Sequence, residues 1–296
     1  NDNAVSAYEV ALESGALTEV GRVVPPHYGS AFDLEMSTDG KSLYSGDVGG
    51  WGSGRITVYA VAQNSGQLSQ VHIYPLDSRL PDQPQAYLQA NALMERPSLL
   101  RIHPSGKLLF AIDHFSYSLL VFTRNSETGA LTFLRKLPLP EMPTDFVIHP
   151  SGRWAYLGNT GAPGLTTYSV GSDGSFVALE TPEMDTRDLR SGFVSPDLQN
   201  PVPYVPSLTV SKDGRFVYVL QPCYGVLFVF AIDSNTGRFI LVERETDVLR
   251  DCDRPTSLVL TPDGTTLVAV AQGLLIYYAV DPLNGRVRPV GEQKSP

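Results

Sequence analysis

Of the five histidines in this 296-residue chain, only His27 and His114 fall in irregular loop sequence. His114 follows Asp113, an acid–imidazole pair that could act as a general base: the carboxylate orients the ring and the ring takes a proton. Arg96-Pro97 and Arg254-Pro255 are one dipeptide met twice, with Asp33, Asp145, Ser207 and Ser257 at neighbouring positions of related segments. Arginines, acids and hydroxyls brought together in this way, with Asn159 beside them, could bind a small anionic or polyhydroxylated ligand. The oxygens of Asp33, Asp145 and Asn159 are also conceivable calcium ligands, although no spaced ligand motif accompanies them. Asp113-His114 is also explained as an ordinary polar loop, and the strand-start residues as side chains that hold water and one another. A phosphate loop, a zinc motif and a Gly-x-Ser-x-Gly nucleophile elbow are absent, so neither a metal nor a cofactor is expected.

The elements that must position these residues are β-strands. Two families of glycine turns alternate along the chain. The first lies between apolar runs: Thr38-Asp39-Gly40, Pro104-Ser105-Gly106, Pro150-Ser151-Gly152, Lys212-Asp213-Gly214 and Pro262-Asp263-Gly264. The second is Ser14-Gly15, Ser65-Gly66, Thr128-Gly129, Asp173-Gly174, Thr236-Gly237 and Asn284-Gly285, at intervals of 51, 63, 45, 63 and 48 residues. Tight hairpins hold one residue at positive φ, which glycine adopts without steric cost. The intervals describe a unit of about 45–50 residues with two insertions, the period of a four-stranded propeller blade.

In the third unit the strands are read as Leu99–His103, Leu108–Ile112, Leu119–Thr123 and Leu131–Leu137, all rich in Val, Ile, Leu and Phe. The fold class is therefore all-β: one propeller domain over 1–296, with four-stranded antiparallel blades, about six of them visible. The first unit lacks strands A and B, so the sequence opens in its B–C loop, and seven blades in the full protein remain an alternative. A β-sandwich would not repeat the same two turns five or six times. A WD40 propeller would end its blades in Trp-Asp, and these do not.

Blade geometry sorts the candidates. The A–B and C–D turns share one face and are short. The other face takes the irregular B–C and D–A loops, including the insertions Leu76–Glu95 and Pro182–Val205 and the glycine-rich loop around Trp51. Function concentrates in such loops. His103 and His149 belong to matching His-Pro-Ser-Gly turns on the regular face and are read as turn residues, and His72 lies within a D strand. Cys223 and Cys252 fall in adjacent loops of the irregular face, where a disulfide is expected in preference to a reactive thiol. A bridge would argue for an extracytoplasmic location, periplasmic or secreted. In the A strands, Glu35 and Arg101 stand at equivalent places in successive units and are expected to face one another.

Charge narrows the partners. The net charge of −9, with five lysines, does not suit a nucleic-acid binder. No apolar run is long enough to span a membrane. A small-molecule ligand or a protein partner at the irregular face is what remains.

Ile102-His103-Pro104-Ser105-Gly106-Lys107-Leu108-Leu109-Phe110, followed by Leu120-Val121-Phe122 and Thr128-Gly129-Ala130-Leu131, resembles the repeat of the lactonase-type propellers. That group includes the propeller form of 6-phosphogluconolactonase and the YVTN surface-layer propellers. The resemblance implies a lactonase-like hydrolase: His114 would activate water against a ring ester, and Arg96 and Arg254 would hold the acid group and the developing oxyanion. The family enzymes carry a His-rich segment at one strand-A start. Here the corresponding starts read Glu95-Arg96-Pro97-Ser98 and Asp253-Arg254-Pro255-Thr256. The alternative is a non-catalytic extracellular propeller that binds a partner through the same loops.

Overall fold

The computed structural model of the chain describes residues 4–11, 16–24, 29–49, 54–76, 97–113, 116–140, 142–159, 165–179, 207–221, 226–245, 257–271 and 274–294, and all regular structure among them is β-strand. The chain divides into two compact units, Asn1–Pro140 and Glu141–Pro296. The first holds a two-stranded sheet, β1 (Val5–Val10) and β2 (Leu17–Val23), and two four-stranded blades. These are β3 (Gly29–Met36), β4 (Ser42–Gly49), β5 (Gly54–Val61), β6 (Leu68–Pro75), then β7 (Pro97–Ile102), β8 (Leu108–Asp113), β9 (Ser118–Arg124), β10 (Leu131–Pro138). The second unit holds three blades. They are β11 (Pro143–Ile148) to β14 (Phe176–Ala178) with β12 (Trp154–Asn159) and β13 (Leu165–Val170) between, β15 (Ser207–Val210), β16 (Phe216–Gln221), β17 (Val226–Ile232), β18 (Phe239–Glu245), and β19 (Ser257–Leu260), β20 (Thr266–Ala271), β21 (Leu274–Val280), β22 (Val287–Lys294). Every blade is antiparallel and consecutive, and strand boundaries in the third repeat fall within two residues of those read from the sequence. As the turn count requires, the first repeat contributes only its C and D strands among the described residues.

Strands β8, β9, β12 and β17 are covered on both faces, which is why they read as continuous apolar runs instead of alternating ones. All six residues of β8 are buried. Strand D is the wet edge: seven of the eight residues of β22 are exposed.

The turns are built by one device with two chemistries. Ser37 Oγ donates to Asp39 Oδ1 at 2.6 Å and accepts the Ser42 N–H, and Ser211 and Thr261 repeat this with Asp213 and Asp263. In the His-Pro-Ser-Gly turns the imidazole stands in: Nδ1 of His103 and of His149 accepts the amide of Ser105 and of Ser151. His149 also meets the Gly214 carbonyl of the next blade through Nε2 at 2.8 Å. In His149 Nδ1 is thus the acceptor and Nε2 the donor, and both histidines are turn residues as expected.

The C–D turn glycine of one blade seats on the first residue of strand B in the blade before it. A Cβ on Gly129 would meet Ser42, one on Gly237 would meet Trp154, and one on Gly285 would meet the Phe216 ring. Glycine is needed at these turns for close approach as well as for positive φ.

Candidate functional site

Counting seven residues on from the turn glycines Gly40, Gly106, Gly152 and Gly214 reaches Asp47, Asp113, Asn159 and Gln221, the same strand-B position in four blades. Asp47, Asp113 and Asn159 are 4%, 0% and 1% exposed. Buried polar groups must find partners. Asp47 accepts from Ser45 Oγ at 3.1 Å and Thr57 Oγ1 at 2.9 Å, and burial raises its pKa against those two hydrogen bonds and the Arg55 charge. Asp113 accepts the Ser116 amide at 3.2 Å and its hydroxyl at 2.9 Å, and Ser116 Oγ meets Ser118 Oγ at 2.6 Å. Asn159 donates from Nδ2 to Thr166 Oγ1 at 2.8 Å, but among the described residues its Oδ1 has no partner. Thr144 Oγ1 is likewise buried and unpartnered, beside Pro143, the cross-strand neighbour of Asn159. Each such orphan costs about 1–3 kcal/mol unless something occupies it.

Strand A begins at the same end of the blade. A bulge there, between Ala31 and Asp33 and again between Pro143 and Asp145, breaks the ladder. Asp33 Oδ2 accepts the Leu100 amide of the next blade at 2.8 Å and Arg101 Nη1 at 2.7 Å. Asp145 Oδ2 accepts the Leu208 amide at 2.6 Å and Ser207 Oγ at 3.3 Å, and Ser207 Oγ in turn accepts the Leu258 amide at 3.1 Å. One position thus clamps β3 to β7, β11 to β15 and β15 to β19. Arg101 forms an ion pair with Asp33, and Glu35 Oε1 accepts the Ile102 amide at 2.7 Å. The Arg101 charge still acts on Glu35, lowering a pKa that burial raises to about 7.

The model of one family, described as lactonase, 7-bladed β-propeller, matches residues 1–142, 83–185 and 143–295. The chain belongs to this lactonase family. Among solved structures it resembles the periplasmic gluconolactonase of Pseudomonas aeruginosa: TM-score 0.71, 22% identity, over 98% of this chain and 77% of that one. A putative 6-phosphogluconolactonase from Bacteroides fragilis gives TM-score 0.71 at 18% identity, again over 98% and 77%. A putative 6-phosphogluconolactonase from Bacteroides uniformis gives TM-score 0.58 at 16%, over 97% and 94%. No curated protein matches the sequence. At these identities the neighbours share the lactonase fold.

Within that fold, Arg96, His114, Arg254, Cys223 and Cys252 lie outside the described residues, as do His27, Trp51 and nearly all of both insertions. Their described neighbours Pro97 and Asp113 are cross-strand partners, as are Asp113 and Ser118. No group of three metal-ligating side chains occurs among the described residues, and no helix is long and apolar enough to cross a membrane. Reading from the sequence missed the shared position of Asp47, Asp113 and Asn159, although counting from the turn glycines exposes it. It also missed Tyr117, at φ 50° the one non-glycine residue at positive φ among those described. A side chain there costs about 1–2 kcal/mol.

Proposed function

We propose that this lactonase-family propeller hydrolyses a sugar lactone at the end of the β7–β10 blade where strand A begins and strand B finishes. The observation that carries the reading is the fully buried Asp113, fixed by Ser116 and Ser118 directly before His114 and across from Pro97, which follows Arg96. His114 takes a proton from water as the water oxygen bonds to the ring carbonyl carbon. The carbonyl re-forms, the ring C–O bond breaks, and the proton passes to the departing ring oxygen, leaving a hydroxy-acid. Arg96 supplies charge to the developing oxyanion. Asp33 takes part by fixing β7, on which the site is built.

A Cys223–Cys252 disulfide and an extracytoplasmic setting belong to the same reading, and absence of titratable thiols in denatured, unreduced protein would support both. The deciding assay is hydrolysis of D-glucono-1,5-lactone above its spontaneous rate. His114→Ala should lower kcat by about 10²–10⁴-fold, the scale of general-base catalysis. A wild-type protein that gives no rate above background on this or a phosphorylated lactone is instead a non-catalytic binding propeller.

A further inference from the structure

We propose that Tyr117 is an aromatic platform that stacks against the ring of the bound lactone, an inference that rests on the site assigned above. Residues 114–117 join β8 to β9, and the last of them holds φ 50°, where glycine or asparagine would sit with little strain. The fold does not need a tyrosine there. Its side chain is 44% exposed, so it adds little to the core. The backbone is imposed by groups outside the ring: the Leu139 amide donates to the Tyr117 carbonyl at 2.7 Å, and the residues on either side, Ser116 and Ser118, are tied together and to Asp113. A strained conformation over-determined by its surroundings is a mark of a functional position. What the strain secures is a large aromatic surface presented one loop residue away from the Asp113 network, at the end of the blade where strand A begins. Aromatic faces with a polar tip suit a sugar-derived ring, whose C–H face is apolar and whose edge carries hydroxyls.

The test pairs hydrolysis of D-glucono-1,5-lactone with calorimetric binding of the stable ring analogue D-glucono-1,5-lactam, using wild type, Tyr117→Phe, Tyr117→Asn and Tyr117→Gly. The last two relieve the backbone and should leave Tm unchanged or higher. They should weaken lactam binding by about 5–10-fold, the scale of one aromatic contact, while Tyr117→Phe stays near wild type. In turnover the loss should fall on KM with kcat kept, as for an interaction equal in ground and transition states. Wild-type affinity in Tyr117→Gly, or no lactam binding by any protein, overturns the platform. Lactam binding that depends on Tyr117 in a protein without turnover upholds it and rejects the hydrolase instead.

Discussion

Arg124, the last residue of β9, reaches through Nη2 to both carboxylate oxygens of Asp39, at 3.1 and 3.2 Å, in the A–B turn of the preceding blade. The same guanidinium donates from Nε to Tyr44 Oη at 2.7 Å and from Nη1 to the Gly106 carbonyl at 3.1 Å. Its side chain is 1% exposed and that of Asp39 30%. Desolvation works against the Asp39 charge, yet the Ser37 hydroxyl, the Lys41 amide and Arg124 hold its pKa at about 2. The equivalent residues elsewhere are Val61, Val170, Ile232 and Val280, so this bolt joins one pair of blades.

Removing one end should therefore differ from removing both. Asp39→Ala leaves a buried cation short of its partner and should cost toward the lower end of roughly 3–5 kcal/mol, since Asp39 is partly solvated. Asp39→Ala with Arg124→Ile restores the aliphatic form of the repeat and should recover much of that loss. Urea unfolding of both variants checks this. A double variant no more stable than Asp39→Ala would show that the guanidinium is not the liability.

The glycine turns allow an internal control. Gly264 and Gly285 both hold positive φ, 74° and 76°, but a Cβ on Gly264 meets nothing within 4 Å while one on Gly285 runs into Phe216. Gly264→Ala should cost only the left-handed strain, about 1–2 kcal/mol. Gly285→Ala must also displace the ring or the turn and should unfold at clearly lower denaturant. Equal midpoints would mean that the C–D turn does not seat on the preceding blade.

Asp145 separates a clamp from a ligand contact. Its bonds to Leu208 N–H, Ser207 Oγ and Phe146 N–H make it part of the fold. Asp145→Ala should destabilise the protein by about 1.5–3 kcal/mol, the range for hydrogen bonds to a charged group. Unchanged stability with impaired ligand binding would reverse that assignment.

The turns, strands and blade starts were legible because each repeat restates them: Gly40, Gly106, Gly152, Gly214 and Gly264 all take positive φ between two paired strands. The roles of Asp33 and Asp145 were not, because a carboxylate beside a site and one clamping a backbone amide look alike in sequence. Ser207, which performs the same clamping with a hydroxyl, was the available clue. The ion pair of Arg101 with Asp33, two residues before Glu35 on β3, was not legible in the sequence either. Glu35 and Asp33 are two residues apart and accept the amides of Ile102 and Leu100, also two residues apart, and Asp33 Oδ2 takes the guanidinium in addition. That choice depends on backbone groups that sequence alignment does not show.

Glu35 provides the pH-dependent test. Burial lifts its pKa from 4.5 to about 7, partly offset by the Ile102 amide and the Arg101 charge, while the Asp33 charge adds to the rise. A carboxyl whose folded pKa lies above its unfolded one binds its proton more tightly in the native state. Between about pH 4.5 and 7 the native protein therefore holds more of that proton than the unfolded chain, and stability falls as pH rises across the window. Glu35→Gln keeps an acceptor for the Ile102 amide but removes the titration. The variant should lose the downward slope between those pH values and exceed wild type in stability above pH 7. Asp39, with its pKa near 2, contributes below this window and does not mask the effect. Urea midpoints at pH 5 and pH 7.5 decide the matter, and equal slopes in wild type and variant would remove Glu35 as the titrating group.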